Sequence, residues 1–177
     1  TKTDLGDQIL TVTYGGQTAT FTVNVKDYVT GIKIDPDTVT GTYNDELSSI
    51  ISANNIEYTV TYAKAGDTAS VVLDASMVAG YNKQTTDAQS LTVTYTDNDA
   101  DSYTKGQNFT TTLNVTLANT VTGITITAPT KDKYNYGDSL DLAGGVINLT
   151  YADGTTGTEP ITSATITEAD GSAVNMS

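Results

Sequence analysis

The stretch ILTVTYGGQTATFTVNV, Ile9–Val25, decides the fold class. Leu10, Val12 and Tyr14 alternate with Thr11 and Thr13; beyond Gly-Gly-Gln, Phe21, Val23 and Val25 alternate with Thr20, Thr22 and Asn24. A period of two puts each apolar set on one side of an extended chain. Two such runs around a Gly-Gly turn predict a β-hairpin with one wet face. Thr suits that wet face, being both β-branched and hydroxylated. The alternation recurs at Tyr58, Val60 and Tyr62, at Leu91, Val93 and Tyr95, at Leu113, Val115 and Leu117, and at Ile147, Leu149 and Tyr151. Helical periodicity is weak, and DELSSIISAN (Asp45–Asn54) predicts one helical turn or a short strand. Short strands with frequent turns and no sustained helical period predict an all-β sandwich or barrel.

The hairpin is written twice. GDQILTVTY (Gly6–Tyr14) returns as DAQSLTVTY (Asp87–Tyr95), 81 positions later, and TFTVNV (Thr20–Val25) is echoed by TLNVTL from Thr112, 92 positions later. The difference is a longer loop in the second hairpin, TDNDADSYTKGQN. The phrase Val-Thr-Gly-Ile-x-Ile also occurs twice, 92 positions apart, at Val29–Ile34 and Val121–Ile126. After it, Thr42–Leu47 matches Asn135–Leu140, and YTVTYAKAGDT matches INLTYADGTT with four fewer residues between the blocks. Self-similarity at a fixed period marks a repeat architecture. Val29 and Gly31, and again Val121 and Gly123, therefore mark inter-domain joints. Residues 29–120 read as one complete domain, 1–28 as the last hairpin of a preceding one, and 121–177 as the first part of a following one. GSAVNMS at the far end resembles LDASMVA (Leu73–Ala79), with Met176 against Met77, so both ends are expected in one loop of the repeat.

Composition excludes much chemistry. The 177 residues include no Cys and no His, and all eight basic residues are Lys. That removes a Ser-His-Asp triad, a Cys nucleophile, a zinc site of the usual ligands, and any disulfide. With 21 acidic residues the net charge is −13, which argues against nucleic-acid binding, since phosphates need cations. There is no apolar run long enough to span a bilayer and no signal-peptide pattern at the start. An address or anchor is therefore expected from other parts of a longer protein, with no direct membrane insertion by this segment.

The phrases YNYGDSLDLAGGVINLTYADGTT (Tyr134–Thr156), LDASMVAGYN (Leu73–Asn82) and LGDQILTVTYGGQTATFTVNV (Leu5–Val25) resemble the bacterial Ig-like domains of group 3. These are tandem modules of large surface proteins in Gram-positive bacteria. The resemblance implies tandem immunoglobulin-like Greek-key β-sandwiches, extracellular, at a cell surface or cell wall, serving as a spacer or stalk or carrying an adhesive tip. It supplies no catalytic residues. The Asp97–Asn108 loop and the SSIISANN insertion depart from it.

Several local patterns are candidate sites. Asp97, Asp99 and Asp101 stand at alternate positions like the opening of a calcium loop, but Ser102 and Asn108 stand where that loop takes Gly and Glu. A solvated polar loop is the simpler reading; calcium, which would relieve repulsion among three carboxylates, is the alternative and the one candidate cofactor. Asp35 and Asp37 could add a second cation site at a joint, though Asp-Pro-Asp reads first as a turn. Ser102 and Lys105 have the Ser-x-x-Lys spacing of some acyl-enzymes, in a polar loop where that chemistry lacks a buried pocket. Sequons at Asn108, Asn114, Asn148 and Asn175 are no more than chance provides in a Ser/Thr-rich chain. Tyr14, Tyr62, Tyr95 and Tyr151 fall on inward faces, so core packing explains them better than sugar stacking.

The sequence therefore predicts a non-enzymatic structural segment, a stalk or fibre of tandem domains whose partners are neighbouring repeats or copies of itself, head to tail. In a sharper form, residues 121–177 of one chain and 1–28 of the next together make one sandwich by strand complementation; the equal alternative is a window of a longer array, its halves completed by the same polypeptide. The alternative is an adhesin module binding a surface protein or glycan through the 97–108 loop.

Overall fold

The computed structural model describes residues 4–163 and 166–174. The chain forms β1 (Gly6–Tyr14), β2 (Gln17–Val25), β3 (Val29–Asp35), β4 (Thr38–Thr42), α1 (Leu47–Ala53), β5 (Glu57–Tyr62), β6 (Gly66–Asp67), β7 (Val71–Val72) and β8 (Val78–Ala79). It continues with β9 (Gln89–Thr96), β10 (Asn108–Ala118), β11 (Val121–Thr127), β12 (Val146–Tyr151) and β13 (Thr156–Pro160). Among the described residues the protein is all-β with one short α-helix. Residue contacts divide it into two compact units, one running up to Lys83 with Asp87–Leu117, the other running from Ala118 onward with Gln84–Thr86.

In the first unit, two sheets share one core. One sheet has the order β3–β5–β6, with β7 also paired to β5; the other has the order β4–β10–β9–β8. Val29, Ile32 and Val60 from the first sheet meet Leu91, Val93, Leu113, Val115 and Leu117 from the second in a single buried cluster. The inward positions read from the alternation are those that fill it. Each buried aliphatic side chain contributes roughly 1.5–3 kcal/mol over leaving it in water. Tyr58 and Tyr95 lie against the cluster with ring centroids 6.1 Å apart.

The Asp45–Asn54 stretch resolves as a helix. A seven-residue helix is marginal alone, and α1 is held by tertiary burial of Leu47, Ile50 and Ile51. The Asn54 amide donates to the Ile50 carbonyl at 2.9 Å and closes its C-terminal turn. The helix packs so closely on β4 that a Cβ at Gly41 would lie 2.6 Å from Ile50 Cδ1 and 3.1 Å from Leu117 Cδ2. Gly41→Ala should therefore overpack the core and cost about 1–3 kcal/mol. Denaturant titration checks it, and an unchanged midpoint would show that the helix yields freely.

β1 and β2 form a two-stranded hairpin joined at Gly15 and Gly16, whose φ values of 59° and 80° are those a two-residue hairpin turn demands. Leu10 pairs with Phe21 and Gln8 with Val23, the same register in which Leu91 pairs with Leu113 and Gln89 with Val115. The environment differs. Leu113 is fully buried, whereas Phe21 is 50% exposed, Val12 52% and Tyr14 89%. The inward position expected for Tyr14 is thus exposed, while Tyr62 and Tyr95 pack against the core.

The second unit holds one three-stranded sheet, β11–β12–β13. Its first pair copies β3–β5 in detail. Val29 pairs with Tyr62 and Gly31 with Thr61, leaving Thr30 as a bulge; Val121 pairs with Tyr151 and Gly123 with Thr150, leaving Thr122 in the same place. Both bulged threonines donate to a carbonyl of the partner strand, Thr30 to Thr61 at 3.0 Å and Thr122 to Thr150 at 3.2 Å. Yet Val29 and Ile32 are buried, while Val121 and Ile124 are 48% and 61% exposed. Residues 131–135, the counterpart of β4, form no strand.

Candidate functional site

The approach to β3, which the repeat leads one to expect as a joint, is built by three segments that the sequence keeps far apart. Asp27, two residues ahead of the Val-Thr-Gly-Ile phrase, turns its carboxylate onto the backbone N–H groups of Tyr28, Lys64 and Ala65 at 2.9, 3.1 and 2.9 Å. Partial burial pushes this carboxyl up, but the three N–H donors and the Lys64 charge outweigh it and hold it below the usual range. The side chain thus fastens the turn after β5 to the residue that leads into β3. At the second joint Asn119 takes the same place and accepts from the Asp153 N–H at 3.3 Å. An Asx residue two positions before each phrase was legible in the sequence, and this is its role.

The long loop between β9 and β10 belongs to the first joint. Asp97 has no exposed surface, and Ser102 and Thr104 are 5% and 7% exposed. The Thr104 hydroxyl donates to Asp97 Oδ2 at 2.8 Å and accepts from the Val29 N–H at 2.8 Å. Asp97 Oδ1 accepts from the Asp99 N–H at 3.0 Å, and the Tyr103 N–H donates to the Asp27 carbonyl at 2.7 Å. Lys26 Nζ reaches the Ala100 carbonyl at 3.0 Å. The loop is therefore a brace folded back on the chain that enters β3. Burial pushes the Asp97 carboxyl up, but hydrogen bonds from Ser102, Thr104 and the Asp99 N–H, with Lys105 nearby, bring it below the usual carboxylate range. Burial, then Tyr95 and the charges of Asp97 and Asp99, push the Tyr62 hydroxyl up to about 12.

The three aspartates read as calcium ligands are not brought together. Asp97 is turned inward onto Thr104, and Asp99 and Asp101 follow it as a run of aspartate-capped turns, the Asp101 N–H donating to Asp99 Oδ1 at 2.9 Å. Among the described residues, no group of three or more carboxylates is placed to hold a metal ion. Asp35 ends β3 and Asp37 lies in the β3–β4 turn, where its carbonyl accepts from the Asn114 N–H at 2.8 Å. Ser102, of the Ser-x-x-Lys spacing, shares a hydroxyl hydrogen bond with Thr104 at 3.0 Å. Gly31 and Gly123 sit with open space or ordinary contact around them, so neither bulge demands a glycine. Asn114 lies within β10 and its side chain accepts from the Ser90 hydroxyl at 2.9 Å. Asn175, Met176 and the end alignment lie outside the described residues.

A second candidate surface lies in the second unit. Ile124, Ile126, Leu140 and Ile166, between 36% and 61% exposed, line an open apolar hollow of about 540 Å³ floored by Ile147 and Ile161. Soluble monomers rarely leave such apolar surface contiguous and bare. Among the described residues no helix is long and apolar enough to cross a membrane. Comparison with protein-family models, curated proteins and solved structures yields no match for the chain.

Proposed function

We propose that this chain is a non-enzymatic structural segment, a stalk or fibre of tandem immunoglobulin-like Greek-key sandwiches in an extracellular surface protein. The observation that carries this reading is duplication of the joint itself. The same bulge, register and Asx contact occur at β3 and at β11, with a two-sheet core completed after the first. Repeating units that meet at a fixed kind of joint suit the transmission of length and load. The resemblance to bacterial Ig-like domains of group 3 points the same way. The absence of His, Cys and Arg leaves little for catalysis to use.

The adhesin reading would use the 97–108 loop. Tyr103, 78% exposed, is its one large hydrophobic side chain turned outward, while Asp97, Ser102 and Thr104 face inward. The structural role is the better supported. Single-molecule pulling on the chain tests it. Residues 29–118 should open in one cooperative step releasing roughly 300 Å of contour. Gradual extension at low force would sink the load-bearing reading.

A further inference from the structure

We propose that the cleft bordered by β5, β8 and β9 in the first unit binds a neutral saccharide. The proposal goes beyond the stalk reading and does not rest on it. Every residue it uses lies between Tyr58 and Asn98, inside the unit whose two sheets share one closed core.

The cleft follows from how β9 is paired. The Asp97 N–H donates to the Gln107 carbonyl at 3.0 Å, on the side of β10. Backbone groups of an antiparallel strand face alternate sides, so Thr94 and Thr96 present theirs to the opposite side, toward β8. There β8 pairs only with Thr92 and Val93. The residues ahead of it leave the edge as the 3-10 turn Ala75–Met77. Where a longer β8 would run, an open cleft of about 500 Å³ remains, with Tyr58 and Tyr95 on its walls. That volume falls in the range of roughly 300–1,000 Å³ that small-molecule sites occupy.

The lining selects the ligand class. Among the described residues that form it none is charged, in a chain with 21 acidic residues and a net charge of −13. Its polar side chains are the hydroxyls of Ser76, Thr94 and Thr96 and the carboxamide of Asn98, which both donate and accept. Among the described residues the Asn98 carboxamide and the Tyr58 hydroxyl have no hydrogen-bond partner. The rings of Tyr58 and Tyr95, 6.1 Å apart and tilted by 44°, set apolar surface beside these groups. A saccharide has the matching chemistry: C–H faces that lie on aromatic rings, and hydroxyls that donate and accept. An ionic ligand would meet no counter-charge in the lining. A peptide strand would meet at most the backbone of Thr94 and Thr96 before β9 ends, short of the ladder that strand addition uses.

The test is an amide NMR titration of the whole 177-residue chain with maltotriose, cellotriose and N-acetylchitotriose. Sialyllactose serves as the anionic counterpart and a blocked Thr-Val-Thr-Val-Thr peptide as the strand probe. At least one neutral trisaccharide should shift the amides of Met77, Thr94, Thr96 and Asn98 saturably in the millimolar range. No response to any of the three would overturn the proposal, as would an equal response to sialyllactose or a response to the peptide alone. Asn98→Ala removes only an exposed side chain and should weaken the binding about threefold to tenfold. Tyr58→Phe should keep most of the affinity and Tyr58→Ala should abolish it, with the Leu113 and Val115 amides reporting an intact core. Should Tyr58→Ala disturb that core, Asn98→Ala decides: unchanged affinity there would place the saccharide elsewhere and overturn the site.

Discussion

Leu113→Ala should destabilise the first unit by about 2–5 kcal/mol, while Phe21→Ala, at the corresponding place in the other hairpin, should change the stability of the chain by less than about 1 kcal/mol. The two residues share a register, Leu113 opposite Leu91 and Phe21 opposite Leu10. They differ in what lies over them. Leu113 has no exposed surface and touches a closed core, so truncation leaves a cavity that the two sheets cannot fully close. Phe21 is half in water already and leaves no cavity. Against a domain stability of about 5–15 kcal/mol, the first loss is a large fraction of the whole. Chemical denaturation followed by near-ultraviolet circular dichroism of the tyrosines reads it, because Tyr58 and Tyr95 pack on that core. Equal losses at the two positions would show that the first hairpin is already covered.

Much of this was legible in the sequence, and the reason is periodicity. Alternation at Leu91, Val93, Leu113, Val115 and Leu117 named buried residues directly, because a strand has only two faces. The repeat offset anticipated that β11 would pair as β3 does, because duplicated segments keep duplicated pairing. Alternation does not say whether a face has a partner, so Tyr14, inward by pattern, is 89% exposed. The bracing role of Asp97 was not legible, for a related reason. The alternate spacing of Asp97, Asp99 and Asp101 suits a polar loop or a cation loop, and the decisive contact, Thr104 to the Val29 N–H, spans 75 residues and leaves no local signature. Asp27 was missed although an Asx precedes both phrases, since its targets, the N–H groups of Lys64 and Ala65, are set by tertiary structure.

The two copies of the Val-Thr-Gly-Ile phrase are alike at their Asx contacts, and the two hairpins differ in their loops. The loop between β9 and β10 is long enough to return to Asp27 and Val29. In the β1–β2 hairpin the corresponding connection is the Gly15–Gly16 turn, which has no side chains to lend. The loop insertion is thus a local stiffening of one joint, and the residue on which it depends is the buried carboxylate.

Asp97→Ala is accordingly expected to cost about 2–4 kcal/mol, the sum of a lost charge-assisted hydrogen bond and buried donors left without an acceptor. The Thr104 hydroxyl loses its acceptor, the Asp99 N–H loses its own, and the loop loses the point that fixes it against β3. Removing Thr104 as well, as Thr104→Val, should add much less than its own single effect, because the two side chains act on one network. The wild type should also respond to acid in a definite direction. The folded carboxyl titrates below the unfolded value of 3.8, so its contribution is present above that pH and is lost as pH falls through the folded value. Asp97→Ala should lack this acid-dependent portion of the stability. Amide exchange at Val29 gives a local reading: its N–H is held by Thr104, which the Asp97 carboxylate orients, so exchange should accelerate in Asp97→Ala even where the core stays closed. Unchanged protection at Val29 would mean that Thr104 holds its place without the carboxylate, and that the loop decorates the joint without bracing it.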